Sequence, residues 1–170
     1  MDKTEIVKEL NETISEFQNL LSFFNEEQLN TVLVQGSWTP GQVAQHIIMA
    51  NSGFVDVLNG PTKKTDRPAD EWVERIKSDF LNFNIKMTSP DFIDPILKVY
   101  NKAHLHTKLE NIKGNLSDAI MAHDLEPTCT SFELPVYGGL TRFEAVYFVI
   151  YHTMRHIEQL KKIKEHYTSN

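Results

Sequence analysis

The stretch LTRFEAVYFVIYHTMRHIEQLKKIKEHY, residues 140–167, constrains the fold more than any other part of the chain. It contains no glycine or proline, opens on a helix start signal, and sets His152 and His156 four residues apart. Thr141 is placed to accept from the backbone N–H of Glu144 while the Glu144 side chain reaches back, with Leu140 and Ala145 as the hydrophobic staple. A helix is therefore expected from Thr141. On it the two imidazoles stack on one face.

At about 100° per residue, Phe143, Val146, Tyr147, Ile150, Met154 and Ile157 form an apolar stripe. The histidines continue a second line, Ala145, Val149, His152, His156 and Ile163, on nearly the opposite side from Ile150. Glu144, Arg155, Glu158 and Lys162 take the narrow sector left for water. A helix apolar on two faces is buried by more than one neighbour, so the histidines are expected to point into protein. Two readings stay open for the pair: core histidines satisfied by carbonyls or waters, or metal ligands.

The same start signal recurs in SWTPGQVAQHIIMANSGFVDVLNGP. Thr39 reads as the N-cap, Pro40 as the first helical residue, Gln42 as the partner in a capping box, and Trp38 with Val43 as the staple. Gly60 and Pro61 supply the stop. His46 falls on the face formed by Val43, Met49, Ala50, Gly53, Phe54 and Val57. Upstream, Ile6, Val7, Leu10, Ile14, Phe17, Leu20, Leu21 and Phe24 mark a first amphipathic helix, with Asp2 and Glu5 as a capping pair. A short turn is expected around Glu26–Leu29.

After a charged connection from Thr62 to Ala69, a short helix is expected, with Trp72, Val73, Ile76, Phe80 and Phe83 facing one way. The next helix is expected to start at Ser89-Pro90 or Asp94-Pro95. Its apolar face begins with Ile96, Leu97, Tyr100, Ala103 and His104, then continues at a shifted phase through Leu105, Leu109, Ile112, Leu116, Ala119, Ile120 and His123. The drift predicts a curved or interrupted helix, weakest at Gly114. Glu126 to Gly139 reads as irregular, and Ser131 to Tyr137 as extended but too short to imply a sheet. The fold class is all-α: a four-helix bundle with a short extra helix between helices 2 and 3.

With 170 residues the chain fits one domain, 1–170, able to bury its own core. A net charge of −6 argues against a general nucleic-acid surface, and no apolar run reaches the length of a membrane span. The acidic start is not a signal peptide, so the cytoplasm is the expected location. Cys129, the one cysteine, excludes an internal disulfide and a cysteine-based zinc knuckle, and as a nucleophile it lacks a nearby partner in sequence.

Three histidines thus stand on inward faces of two long helices: His46, His152 and His156. Three neutral imidazoles with an open fourth position suit a catalytic zinc or nickel site. The His-Glu-x-x-His motif is absent, because Thr153 follows His152. Di-iron Glu-x-x-His motifs are absent too, since Val43, Val149 and Thr153 precede the three histidines at that offset. There is no phosphate-binding glycine loop and no GxSxG elbow. Tyr151, Asp56 and Gln159 are the polar residues expected to approach the mouth of the site. His104, His106, His123 and His166 read as surface or packing residues, with His123 the one able to line the site from the third helix.

The segments SWTPGQVAQHI and LPVYGGLTRFEAVYFVIYHTMRHIEQL, read as W-T-P-G-x-x-x-x-H and H-x-x-x-H-x-x-Q, resemble the DinB-like (YfiT-like) metal-binding four-helix-bundle superfamily over almost the whole chain. The resemblance implies metal ligands at His46, His152 and His156. It implies a divalent metal, zinc or nickel first, and a small-molecule substrate, with a homodimer as one arrangement. Members with known activity include S-transferases that use low-molecular-weight thiols such as bacillithiol, and a mycothiol-dependent isomerase branch. A metal-dependent thiol transferase is the expectation. Metal-dependent hydrolysis and a non-catalytic metal- or ligand-binding module are the alternatives.

Overall fold

Side chains that accept the orphan N–H groups of a first turn decide where most of the helices begin. The computed structural model describes residues 2–169. Helix α1 spans Lys3–Phe23, and Asp2 Oδ1 accepts from Thr4 N at 2.9 Å, a bond to the second helical residue in place of the expected Asp2–Glu5 pair. Helix α2 is a single turn, Glu26–Leu29, closed by a capping box between Asn25 and Gln28. Helix α3, Pro40–Asn59, starts on the Thr39–Gln42 box with Pro40 in its first turn and stops at Gly60. The short α4 covers Val73–Phe80 and buries Ile76.

The next long helix starts later than the sequence suggests. Helix α5 runs from Lys102 to Ala122, with Asn101 as the N-cap accepting from His104 N at 2.9 Å. Residues 82–99 form an irregular strap whose one regular piece is a 3₁₀ turn, Asp91–Ile93. Asp94 is extended, at φ −79° and ψ 116°, as a residue before proline prefers. The chain therefore leaves helical geometry at Pro95 instead of entering it. Ile96 and Leu97 end up exposed, and the buried face begins at Leu105. Gly114 does not interrupt α5.

Helix α6, Arg142–Thr168, starts on the expected Thr141–Glu144 box. Its supposed water-facing sector needs correction. Glu144 is fully buried, because the crossover segment and α4 cover that side of the helix. Arg67 donates to its two oxygens at 2.6 and 2.7 Å, and the backbone N–H groups of Trp72 and Thr141 donate at 2.9 Å each. Arg155 points the same way and donates to the carbonyls of Phe80, Asn82 and Ile85. The period of the sequence marked both residues as polar but could not show that a chain segment would come to meet them.

Helix directions follow from cross-helix contacts. Lys3 reaches His123 O and Gln18 reaches His106 O, so α1 and α5 are antiparallel. Glu16 pairs with Lys161 and Phe24 packs on Tyr167, so α1 and α6 are parallel. Phe54 packs on Phe148 and Arg142 donates to Leu58 O, which makes α3 and α6 antiparallel. At one end Gly41 meets Tyr100, and at the other Asn59 meets His123, which makes α3 and α5 parallel. Two neighbouring parallel helices need a return crossing of the full bundle length. Residues 60–101 make it, carrying α4 and the strap. A Cβ at Gly41 would lie 3.0 Å from both Leu29 O and the Tyr100 ring, so the close approach of α3 to the end of the strap depends on glycine.

A two-residue ladder, β1 (Thr62–Lys63) with β2 (Thr128–Cys129), ties the crossover to the segment before α6. It lies just outside the Ser131–Tyr137 stretch that reads as extended. The core between the four long helices contains Leu10, Phe17, Ile47, Leu58, Leu109 and Leu160, all at most 1% exposed. Each such side chain contributes about 1.5–3 kcal/mol through burial. No helix among the described residues is long and apolar enough to cross a membrane.

Candidate metal centre

His46 stands in the second turn of α3, one turn after the Thr39–Gln42 cap that starts the helix. His152 and His156 project from the middle of α6, where the i, i+4 spacing sets them on the face toward α3. Because α3 and α6 are antiparallel, the three rings meet near the end of the bundle where α3 starts. His46 Nε2 lies 3.1 Å from His152 Nε2, and His156 Nε2 lies 3.2 Å from the same atom. One potential ligand nitrogen from each ring falls within 4.8 Å of the others, and all three residues are buried. Around a tetrahedral zinc ion with Zn–N bonds of about 2.0–2.1 Å, two ligand nitrogens are about 3.3 Å apart.

Proton accounting makes the arrangement informative. His46 Nδ1 donates to Ile93 O at 2.8 Å, with Ser89 Oγ at 3.5 Å. His156 Nδ1 donates to Gln159 Oε1 at 2.7 Å. Carbonyl oxygens only accept, so in the neutral rings both Nε2 atoms are lone pairs. His152 has one proton for two nitrogens. On Nε2 it can serve only one of its two neighbours, and on Nδ1 it leaves three lone pairs facing one another. His152 Nδ1 is buried and has no partner. A divalent cation among the three Nε2 atoms removes the conflict between lone pairs, so the residues present fit such an ion.

The surroundings keep the rings neutral. Burial lowers His46 below the usual histidine range, partly offset by the Ile93 hydrogen bond and the Asp94 carboxylate. Burial, then His156, His46 and Arg155, hold His152 far below that range. His156 is lowered to about 3, by burial first and then by His46, against the Gln159 bond that raises it. Metal ligation requires neutral imidazole, and at neutral pH all three meet that requirement. Aromatic rings complete the shell. Phe148 lies flat on His152 with Phe80 at its edge, and Trp38 packs against His46 at 4.9 Å and stacks on His156 at 6.2 Å.

Of the polar residues expected at the mouth, only Gln159 touches the triad. Tyr151 is buried toward α1, where burial and Glu9 push its phenol up to about 12. Asp56 is exposed nearly three turns along α3 from His46. His123 bonds Asn59 at the far end of the bundle, His106 lies beside Ser22, and neither they nor His104 and His166 join the cluster. Cys129 is buried in the small ladder, and desolvation raises its thiol. The Ile93 carbonyl and the Trp38 ring were not legible as site groups. A backbone carbonyl leaves no mark in sequence, and Trp38 serves equally well as a staple. Two surface clefts, about 210 and 350 Å³, are lined by residues that do not include the triad.

The profile of the DinB superfamily matches residues 9–160. The chain belongs to this superfamily. Among curated relatives it is similar to the uncharacterized protein YuaE of Bacillus subtilis (strain 168), 25% identical over 155 residues that cover 91% of this chain and 94% of the relative. Two solved structures share the fold. One is TT2238, a four-helix bundle protein, at 18% identity and TM-score 0.60, covering 95% of this chain and 99% of that one. The other is YfiT from Bacillus subtilis, at 16% identity and TM-score 0.62, covering 98% of this chain and 87% of that one. YfiT is described as a probable metal-dependent hydrolase with an unusual four-helix bundle topology. The DinB superfamily fold in this chain has parallel α3 and α5 and a single three-histidine cluster among the described residues.

Proposed function

We propose that this protein binds one divalent metal ion, zinc or nickel, through His46, His152 and His156, and that it transfers a low-molecular-weight thiol to a small electrophile. The observation that carries the reading is the convergence of three Nε2 atoms with the Nδ1 of His152 left without a partner. When bound, the metal would supply a positive charge that lowers the pKa of a thiol or water beside it. The chain's own residues hold the three rings neutral and aimed: the Ile93 carbonyl orients His46, Gln159 orients His156, and the flat face of Phe148 orients His152. Phe80, Phe148 and Trp38 keep water away from the rings.

The polar groups touching the imidazoles favour thiol transfer over hydrolysis. They are a carbonyl, an amide and a hydroxyl, none of which ionises near neutral pH to act as an acid or base. Hydrolysis of an amide needs an acid to protonate the leaving nitrogen. Thiol transfer needs none: a sulfur–carbon bond forms, the bond from that carbon to its leaving group breaks, the leaving group departs with the electron pair, and the thiol proton passes to solvent. The description of YfiT as a probable metal-dependent hydrolase keeps hydrolysis as the second reading. A thiol-dependent activity would suit the cytoplasm, where such thiols are kept reduced.

The test is elemental analysis of untagged protein beside His46→Ala and His156→Ala. About one equivalent of zinc or nickel, lost in both variants while the helical circular dichroism persists, is the expected result. No metal in the wild type after reconstitution would return the three histidines to a core or ligand-binding role. Given metal, turnover of an electrophile only with added thiol separates transfer from hydrolysis.

A further inference from the structure

Residues 82–99 present an imbalance that the metal reading leaves unexplained. Seven of the thirteen large apolar side chains exposed among the described residues fall in this one strap, including Phe83, Ile85, Phe92, Ile96 and Leu97. Phe92 and Ile96 are each 68% exposed and Leu97 67%. A segment of 18 residues that buries only Pro95 contributes almost nothing to the core. Exposed apolar side chains concentrated in one segment in this way mark an interaction site.

The location of the strap says what kind. Its backbone is fastened to the residues that aim the triad: Ile93 O to His46 at 2.8 Å and Pro95 O to Gln42, one turn before His46, at 3.0 Å. At its other end Arg155, beside His156, holds the carbonyls of Phe80, Asn82 and Ile85. Phe92 and Ile96 therefore flank the two carbonyls that grip α3, and Ile85 is gripped by the residue next to a triad histidine. The backbone that carries these apolar side chains adjoins the triad at His46.

We propose that the strap is the recognition surface for the apolar part of the substrate, so that the site takes a molecule with a polar or electrophilic head at the triad and an alkyl or aryl body lying against Phe92, Ile96 and Leu97. This rests on the metal reading and adds the substrate class. A second copy of the chain fits less well: the apolar residues sit on irregular backbone interrupted by Lys86, Asp91, Asp94 and Lys98, whereas the core of a dimer interface is packed and depleted of charge. A small apolar body needs only two or three of these side chains at a time.

The experiment measures binding to the zinc-loaded protein by calorimetry, comparing acetohydroxamate with octanohydroxamate, which share a metal-binding head and differ in the tail. Burial of a methylene is worth about fourfold in affinity, so partial cover of the longer tail predicts at least about 30-fold tighter binding of octanohydroxamate. In Phe92→Ser/Ile96→Ser, whose altered side chains are exposed, acetohydroxamate affinity and zinc content stay unchanged while the preference for the long tail falls at least about fivefold. Normal zinc uptake with equal affinity for the two hydroxamates overturns this inference alone. Failure to take up zinc overturns the metal reading and the inference with it. A wild-type dimer that the double substitution converts to a monomer in sedimentation assigns the strap to a second copy and also overturns it.

Discussion

Helix α6 carries two buried polar clusters built on opposite principles. At its first turn, Glu144 accepts four hydrogen bonds, two from Arg67 and one each from Trp72 N and Thr141 N. Every lone-pair direction of the carboxylate is used. Two turns further on, His152 meets two rings that offer it lone pairs, and its Nδ1 has no partner. Buried polar groups in native proteins are nearly always satisfied, so the complete cluster reads as structure and the incomplete one as a place for something else. The contrast is sharper than either cluster alone, because both lie on one helix at similar burial.

Metal is the largest expected perturbation. At a zinc concentration about a thousandfold above Kd, the wild type gains about 4 kcal/mol of stability, read as a rise in Tm. His152→Phe shows none, and Arg67→Ala keeps the full increment. An equal rise in His152→Phe would place the metal elsewhere.

Acid acts on the incomplete cluster in the metal-free protein. The folded histidines bind protons less readily than their unfolded counterparts, with His156 lowered from the ordinary 6.5 to about 3. Between these values the unfolded state takes up more protons, so the stability contribution is present above pH 6.5 and is lost as the pH falls toward 3. Thermal melts of the metal-free wild type from pH 7 to pH 4 should show a falling Tm, with a shallower fall in His156→Phe. Parallel curves would mean that His156 is not held neutral.

Breaking the complete cluster comes next. Arg67→Ala leaves the Glu144 carboxylate buried without its cation, at a cost of about 3 kcal/mol, the low end of the range because Arg67 is one-fifth exposed. Metal per folded chain should not change. If urea melts show less than about 0.5 kcal/mol, the pair is not a structural anchor.

Smaller effects separate orientation from ligation. Gln159→Ala frees the His156 ring and is expected to weaken zinc binding about 10- to 100-fold, while the metal-free Tm moves little. Unchanged affinity would remove Gln159 from the site. Thr39→Ala takes away the N-cap of α3 and costs about 1 kcal/mol, with zinc affinity nearly intact. A loss of zinc affinity as large as that in Gln159→Ala would mean that the cap positions His46.

Local grammar explains how much was legible beforehand. Thr39-Pro40-x-Gln42 and Thr141-x-x-Glu144 each state a helix start in four residues, and both starts are where the sequence places them. His46, His152 and His156 were legible as a set because the two helical phases put them inward. The start of α5 was misplaced because a proline after serine or aspartate reads as a helix start, while Asn101, the residue that caps, carries no proline. The burial of Glu144 and the carbonyl under His46 depend on where the 60–101 crossover returns over the bundle. That path is set by the packing of distant residues and has no local signature.

The four bonds on Glu144 also key the rotation of α6 about its own axis. Rotating a helix by about 20° would carry a side-chain tip at a radius of about 6 Å through about 2 Å, an order of magnitude beyond the roughly 0.2 Å tolerance of a metal–ligand bond. With its first turn pinned by a carboxylate that leaves no free direction, the helix has one azimuth, and the imidazoles two and three turns later inherit it. The Glu144 carboxylate, which Trp72 N and Thr141 N still hold when Arg67 is removed, thus works as an angular reference for the histidines.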